Sequence, residues 1–148
     1  MKQKVDGCMY CDQKEAVSKL MILVARLRTA NLYLLRDQSF TGRCVLALRD
    51  HCTEADELKP QQGSDFFRDL QDAVAAIRSV WSPAKINYAI YGDFVPHFHI
   101  HLVPKYEDGP LWGKAFSAES VPPVYLTEEE YESISRKLLS ALDSNVKR

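Results

Sequence analysis

The stretch at residues 95–104, Val-Pro-His-Phe-His-Ile-His-Leu-Val-Pro, constrains the fold of this chain more than any other. His97, His99 and His101 alternate with apolar residues, and a period of two is that of a β-strand, whose successive side chains lie on opposite faces. The pattern predicts a strand with three imidazoles on one face, ending at Pro104, which lacks a backbone donor. A row of imidazoles is a poor filling for a core. Because imidazole suits nucleophilic, proton-transfer and metal-ligand chemistry near neutral pH, the run indicates a functional site.

Four further segments have the character of strands. Residues 20–27 and 31–35 are apolar runs divided by a short turn, which is typical of a hairpin. Residues 43–48 and 85–91 also have strand-like composition, and the first of them follows a loop in which Gly42 is expected to adopt a backbone conformation that other residues avoid. Together with the histidine strand, these runs predict an α+β fold with a mostly antiparallel five-stranded sheet.

Helical periodicity predicts one long helix over residues 65–81. Apolar side chains recur there at every third or fourth position, and Ser64 is placed to cap the first turn. We assign the resulting stripe to the core; it consists of Phe66, Leu70, Val74, Ile77 and Trp81.

One or two shorter helices are expected elsewhere. Residues 53–58 predict a short helix that begins at Thr53 as its N-cap and stops before Pro60. A capping box from Thr127 to Glu130 predicts a last helix that continues to about residue 142.

Length and charge narrow the class of protein. The 148 residues predict one domain over residues 1–148, in which residues 104–148 form an irregular arm and a C-terminal helix. The net charge of −1 does not favour a nucleic-acid partner. No apolar run is long enough to span a membrane, and the first twenty residues lack the apolar segment of a secretory signal. A cytoplasmic location is therefore expected.

The pair Cys8-x-x-Cys11 has three interpretations. A redox pair is expected to follow a strand and open a helix, whereas this pair precedes the first predicted strand. Two incidental thiols are the second interpretation. The third is half of a zinc site, which needs two more nitrogen or sulfur ligands. His51, Cys52 and the histidine strand supply candidates, and Cys8, Cys11, His51 and His97 would make a Cys2His2 set.

The histidine strand resembles the signature of the histidine triad (HIT) family, in which three histidines alternate with apolar residues and two more apolar residues follow. The matching stretch here is His-Phe-His-Ile-His-Leu-Val at residues 97–103. The resemblance extends over about two thirds of the chain, from residue 8 to residue 103, and implies a HIT-like fold. Other features in the family's order are the cysteine pair, Gly42, His51, the long helix, Asn87 and Gly92.

The resemblance implies a mechanism and a cofactor. His99 would attack the α-phosphorus of a nucleoside phosphoramidate or dinucleoside polyphosphate and form a nucleotidyl-histidine intermediate, which water would hydrolyse. His101 would donate to a phosphate oxygen, Asn87 would orient the phosphate or the triad, and His97 would bind zinc. The set of Cys8, Cys11, His51 and His97 is similar to the structural zinc site of many bacterial members, and no catalytic metal is implied.

The resemblance also suggests substrate-binding residues and a partner. Asp37 occupies the place where family members offer an acid or amide to the ribose hydroxyls, although a loop aspartate that caps its own turn is nearly as common. Gly92 and Asp93 precede the triad where many members carry Gly-Gln, so Asp93 would place a negative charge near the leaving phosphate. Family members are usually homodimers, and a second copy is therefore an expected partner beside the nucleotide.

Two alternatives belong to other functional classes. A zinc-stabilised nucleotide-binding module with little turnover is the first. The second is a metal-dependent jelly-roll enzyme of the cupin type, which leaves the cysteine pair and the long helix unexplained. The residues that approach the cupin motif are Gly92, His99, His101, Glu107 and Gly113, but their spacing is wrong.

Overall fold

The computed structural model describes residues 4–12 and 15–146. In this part of the chain, five strands form one antiparallel sheet with the order β1-β2-β3-β5-β4. This architecture confirms the expected α+β fold, and the cupin alternative is wrong because a jelly roll is built from two packed sheets. The strands are β1 (Met21–Arg26), β2 (Ala30–Leu35), β3 (Cys44–Leu48), β4 (Lys85–Ala89) and β5 (His99–Lys105).

Two long helices cover one face of this sheet, and two short ones precede it. None of the helices in the described ranges has both the length and the apolar content needed to cross a bilayer. The α-helices are α1 (Met9–Asp12), α2 (Glu15–Leu20), α3 (Pro60–Trp81) and α4 (Glu128–Val146), and single 3₁₀ turns lie at Ala55–Glu57 and Ala118–Ser120.

The register of the strands assigns each side chain to one of two faces. Leu46 lies opposite Ile100, and both side chains belong to the main core beneath α3 and α4. Val45 lies opposite His101 on the other face, where a smaller apolar cluster also contains Tyr10 and Met21. The second face carries no long helix, so the imidazoles of β5 lie on the open side of the sheet.

Both predicted helix starts in the middle of the chain are wrong. The long helix begins at Pro60 instead of residue 65, with Lys59 and not Ser64 as its N-cap residue, because proline fits a first helical position that needs no backbone donor. The expected helix over residues 53–58 is only a 3₁₀ turn, and its N-cap residue is Glu54. Thr53 instead donates its hydroxyl to Glu57.

The histidine strand is displaced from its expected bounds. β5 begins at His99, so His97 lies just before the strand, and Pro104 lies inside it. Proline is tolerated there because pairing with β3 ends at Leu102, which leaves Pro104 paired only with Ile86 of β4. β4 itself ends at Ala89 rather than at residue 91.

Several other local predictions are confirmed. β1 and β2 form the expected hairpin. Gly42 has a φ of +87°, and a Cβ atom there would lie 2.8 Å from the ring of Trp81. The capping box at the start of α4 is formed: the Glu130 amide donates to the Thr127 hydroxyl, and the Thr127 amide donates to the Glu130 carboxylate.

A buried carboxylate joins α3 to the β1–β2 hairpin. Asp69 is fully buried, although it lies in a helix whose buried residues are otherwise apolar. One of its oxygens accepts from the amide and guanidinium of Arg28, and the other accepts from the amides of Thr29 and Ala30. The buried amides of Thr29 and Ala30 would be left unpaired without this carboxylate, so Asp69 fixes the position of the hairpin on the helix.

We expect Asp69→Ala to lower the free energy of unfolding by about 3–5 kcal/mol, because it leaves a buried set of donors without an acceptor. Asp72→Ala is the matched control. Asp72 binds the same arginine at 2.6 Å but at the surface, so its loss is expected to change stability by about 1 kcal/mol or less. Urea denaturation of both variants measures the difference. Equal destabilisation by the two would contradict the assigned role of Asp69.

Candidate active site and metal site

A cavity of about 670 Å³ lies over the open face of the sheet, beside His99 and His101. The cross-strand partners of these histidines in β3 are Ala47 and Val45, which belong to the smaller apolar cluster on the same face. The volume falls in the range of small-molecule binding sites. The strand pairing thus places two members of the predicted triad at the wall of a ligand-sized cavity.

The ring of His99 is oriented by a backbone carbonyl group just before β5. Its Nδ1 lies 2.5 Å from the carbonyl oxygen of His97, and a carbonyl oxygen can only accept a hydrogen bond. The proton of the neutral ring therefore lies on Nδ1, and Nε2 keeps its lone pair. His99 is 5% exposed, and this burial lowers its pKa from the ordinary value, which favours the neutral ring.

The ring of Tyr10 packs against two histidines of the triad. Its centroid lies 5.1 Å from that of His97 and 5.0 Å from that of His99. Tyr10 is buried, and burial raises the pKa of its hydroxyl, so the side chain is neutral. Tyr10 lies between Cys8 and Cys11 in the chain. Its ring therefore connects the cysteine pair to His99 by direct packing.

His101 is in contact with a buried arginine. Its Nδ1 lies 3.4 Å from Nη2 of Arg43, and the guanidinium carbon lies 4.7 Å from the centroid of the Phe116 ring. Burial, and next the positive charge of Arg43, lower the pKa of His101 to about 3. His101 is therefore a neutral ring at physiological pH.

The arm between β5 and α4, residues 106–127, forms one side of the cavity. Lys105 is buried, and its Nζ donates to the carbonyl oxygens of Leu111 and Lys114. The hydroxyl of Tyr106 donates to the carbonyl oxygen of Thr41. These bonds tie the irregular segment to the sheet. The arm residues that line the cavity are Phe116, Ser117, Ala118, Glu119 and Tyr125.

The four predicted zinc ligands converge at one point. Potential ligand atoms of Cys8, Cys11, His51 and His97 all lie within 4.8 Å of one another. Nε2 of His97 donates to the carbonyl oxygen of Leu48, 2.6 Å away, which leaves Nδ1 free of its proton and facing the thiols. A fixed outer hydrogen bond of this kind is usual for histidines that bind metals.

The spacing of these atoms fits a tetrahedral ion. The sulfur-to-nitrogen distances are 3.4 Å from Cys8 to His97, 3.4 Å from Cys11 to His51 and 3.7 Å from Cys11 to His97. Sulfur and nitrogen ligands of one tetrahedral zinc ion lie about 3.5 Å apart, given bond lengths of about 2.3 and 2.0 Å. The cluster therefore can hold a structural zinc ion, and the sequence-derived set is the set that the fold assembles.

The predicted substrate-binding residues all line the cavity, in different surroundings. Asp37 accepts from the amides of Ser39 and Val124, so it closes its own turn and also holds the arm. Gly92 and the exposed Asp93 lie in the loop that leads to the triad, and Gly92 has a φ of +151°. None of these positions by itself identifies the ligand.

Asn87 is a predicted catalytic residue that does not line the cavity. It belongs to β4 and pairs with Val103, whereas His101 pairs with Ala89. Asn87 therefore shares the face of the histidines but lies two residues further along the strand, outside the lining of the cavity.

Arg43, Tyr10 and Phe116 were not recognised as site residues from the sequence. Arg43 follows Gly42 and precedes Val45 by two positions, so alternation places it on the face of His101 once β3 is known to pair with β5. Tyr10 carries an aromatic ring inside the cysteine pair. Phe116 is one of the aromatic residues of the arm, which are able to cover a site, but an irregular segment has no periodicity from which their positions can be inferred.

Comparison with known structures shows the same fold. A histidine triad protein from Bradyrhizobium japonicum is similar with a TM-score of 0.79 and 16% identity over 87% of this chain and 96% of that chain. One from Marinobacter aquaeolei VT8 has a TM-score of 0.78 and 23% identity over 88% and 95% of the two chains. A zinc-bound histidine triad family protein from Mycobacterium smegmatis has a TM-score of 0.67 and 19% identity over 95% and 96%.

The sequence match to a known family covers a smaller part of the chain than the structural matches do. No curated protein matches it. The family model of the HIT domain matches residues 32–108, which include most of β2, all of β3, β4 and β5, and thus both His99 and His101. With this match over half of the chain, and with the triad and the Cys2His2 cluster in place, the protein belongs to the HIT domain family.

Proposed function

We propose that this protein is a nucleotide hydrolase or nucleotidyl transferase that acts on the α-phosphate of nucleoside phosphoramidates or dinucleoside polyphosphates. Membership of the HIT family supports nucleotide hydrolase or transferase chemistry in general. The observation that carries the proposal is the 2.5 Å hydrogen bond from His99 Nδ1 to the carbonyl oxygen of His97. It leaves the Nε2 lone pair of a neutral imidazole beside a ligand-sized cavity, as a histidine nucleophile requires.

In the first step, Nε2 of His99 forms a bond to the α-phosphorus as the bond to the leaving amine or phosphate breaks. The leaving group departs with the bonding electrons and takes up a proton. In the second step, the oxygen of water bonds to phosphorus and gives up a proton to solvent, the bond to Nε2 breaks, and a nucleoside monophosphate is released. Division of one displacement into two is the advantage of a covalent intermediate.

The residues around His99 have supporting roles in this proposal. His101 donates to a phosphate oxygen as charge develops there. The nucleobase would lie against the apolar part of the cavity lining, which includes Leu20 and Leu35. A role of Asn87 in orienting the phosphate or the triad stays a prediction.

Zinc has a structural role in this proposal. Cys8, Cys11, His51 and His97 would hold the ion, which would crosslink the N-terminal cysteine pair, the segment after β3 and the segment before β5. His97 links the ligand cluster to the triad. Its ring donates to the carbonyl oxygen of Leu48, and the carbonyl oxygen of His97 orients the ring of His99.

The test is release of AMP from adenosine 5′-phosphoramidate and from diadenosine tetraphosphate by the purified protein without added divalent metal. Release from either substrate supports the proposal. Binding of AMP without release from either substrate would favour the second candidate, a zinc-stabilised nucleotide-binding module.

Asp93 is expected to disfavour substrates with a charged leaving group. It is exposed and lines the cavity, so its carboxylate would repel a leaving polyphosphate chain. We expect Asp93→Gln to raise kcat/KM for diadenosine tetraphosphate about threefold to tenfold, because it removes a like-charge repulsion. The change in kcat/KM for adenosine 5′-phosphoramidate should be smaller. Steady-state kinetics on both substrates measure this. A fall for both would show that Asp93 assists the reaction.

We further propose that the protein is a homodimer. In the described ranges β4 pairs only with β5, so its other edge offers unpaired backbone groups. Beside that edge lies a largely apolar groove of about 770 Å³. Its exposed members include Phe67, Tyr88 and Ile90, which are 59%, 48% and 54% exposed. A second copy related by a twofold axis would pair the two β4 edges and cover the same apolar patch on both chains.

Ile90→Glu is expected to produce a monomer, because it would place an unpaired charge in an apolar interface. Size-exclusion chromatography with light scattering gives the mass directly. Leu139→Glu is the control, since Leu139 is a 42% exposed apolar residue of α4 outside the groove. A wild-type protein that is monomeric at micromolar concentration would contradict the proposed dimer.

A further inference from the structure

The cavity contains a buried arginine whose position is fixed by its own backbone. Arg43 is 7% exposed and lies directly before β3. Its amide donates to the carbonyl oxygen of Phe40 at 3.0 Å, and its carbonyl oxygen accepts from the amide of Leu35 at 3.1 Å. The side chain therefore starts from a rigid point on the face of the sheet that carries His101.

In the described part of the chain, the guanidinium of Arg43 takes part in no salt bridge. Among the described residues, no carboxylate lies within 4.0 Å of its nitrogens, and the buried Nε has no hydrogen-bond partner. Its polar contact is Nη2 with His101, and the Phe116 ring covers the group. Burial lowers the pKa of Arg43, whereas Asp37 acts in the opposite direction. An arginine nevertheless stays protonated in a protein.

A buried charge without a partner is unfavourable unless a ligand supplies the opposite charge. The cavity that Arg43 lines also contains His99 and His101, and among the described residues that line it no other side chain is a lysine or an arginine. Arg43 is therefore the cation of this cavity, and it lies beside His101. Its planar fork of donors, with Nε among them, matches the spacing of phosphate oxygens.

Arg43 also determines which nitrogen of His101 carries the proton. A guanidinium has donors and no acceptor, so the His101 atom that faces it must accept. That atom is Nδ1, which leaves the proton of the neutral ring on Nε2. His101 can then donate from Nε2, and the strand neighbour His99 has the opposite tautomer, with its proton on Nδ1.

We propose that Arg43 has two roles in the site: it binds a phosphate oxygen of the nucleotide, and it holds His101 with its proton on Nε2. The proposal rests on the proposed function for the identity of the ligand. Phe116 gives the arm a part in both roles, because its ring keeps the guanidinium plane against His101. The arm is thus a component of the anion site and not only a cover.

The first experiment reads the tautomer of His101 in the wild-type protein. Long-range ¹H–¹⁵N correlation NMR distinguishes a protonated from an unprotonated ring nitrogen, and His101→Gln identifies the signals. The expected result is a protonated Nε2 and a bare Nδ1 at pH 7. A proton on Nδ1 would overturn the positioning role. Because the measurement is made on the wild-type protein, it does not depend on whether an Arg43 variant folds.

The second experiment compares binding of AMP and of adenosine by calorimetry. Arg43→Met removes the charge and the donors but keeps an unbranched side chain of similar length. It is expected to weaken AMP binding about tenfold to a hundredfold, which is typical for loss of a charged hydrogen bond, and to leave adenosine binding nearly unchanged. Arg68→Met is the control, because Arg68 is an exposed residue of α3. Arg43→Lys should recover part of the AMP affinity through its charge.

Unchanged AMP binding in Arg43→Met, or equal weakening of AMP and adenosine, would overturn the anion-binding role. In Arg43→Met, the NMR signals of His101 should shift toward a mixture of the two tautomers. Loss of a side chain with only a packing role would not cause this shift. Both readouts are made without turnover. A protein that binds AMP through Arg43 but releases none from the substrates would contradict the hydrolase and leave this inference intact.

Discussion

Replacing His99 with alanine is expected to reduce AMP release from adenosine 5′-phosphoramidate by about a thousandfold or more, because loss of a nucleophile removes the covalent route. Binding of AMP should change little, since the cavity keeps Arg43 and its apolar lining. The contrast between lost turnover and retained binding separates a nucleophile from a residue that only shapes the site.

The measurement is AMP release at saturating substrate, with circular dichroism to show that the variant folds. Arg68→Gln is the matched control and should keep wild-type turnover, as it changes an exposed side chain on α3. A single-turnover reaction of the wild type quenched in alkali should show a nucleotidyl adduct on the peptide that contains His99. Turnover within tenfold of wild type in His99→Ala would mean that another group attacks phosphorus, and the proposed mechanism would be wrong.

The second large effect is expected from Cys8→Ala. Purified wild-type protein should contain about one zinc ion per chain, and the variant should contain almost none, because three ligands do not close a structural tetrahedral site. Binding of structural zinc contributes directly to folding, so we expect the variant to lose about 3 kcal/mol or more of stability. Chelator should lower the Tm of the wild type but not that of Cys8→Ala.

Cys44→Ala is the control for this experiment. Cys44 is a fully buried free thiol on the helical face of the sheet, so its removal should keep the zinc and the response to chelator. Metal analysis by mass spectrometry and thermal unfolding give the two readouts. A Cys8→Ala protein that lacks zinc and is as stable as the wild type would show that the cluster does not stabilise the fold. Loss of zinc should also disturb His99, because Tyr10 packs against it from within the cysteine pair.

Local patterns in the sequence were sufficient for the elements that depend on alternation or capping. The β1–β2 hairpin, the left-handed Gly42 and the capping box at Thr127 all form as predicted, because each depends on residues close together in the chain. The start of α3 was predicted too late. A proline was read as a stop although it is also the preferred first residue of a helix.

The metal site was inferred from ligand chemistry together with the family resemblance. Tetrahedral zinc needs four nitrogen or sulfur ligands, and the cysteine pair with His51 and His97 is one set that the chain offers and that the resemblance also implies. The fold brings together the set that was predicted, from positions as far apart as Cys8 and His97.

By itself the sequence determined the strand character of the histidine run, the residue types that can carry the chemistry and the order of the elements. These properties depend on the period of the chain and on side-chain chemistry, which are local. Only the tertiary structure decided that Arg43 lies against His101, that Phe116 of the arm covers both, and that Asn87 lies outside the cavity. Such contacts depend on which strands pair and in which register, and a shift of one residue would turn every side chain to the other face.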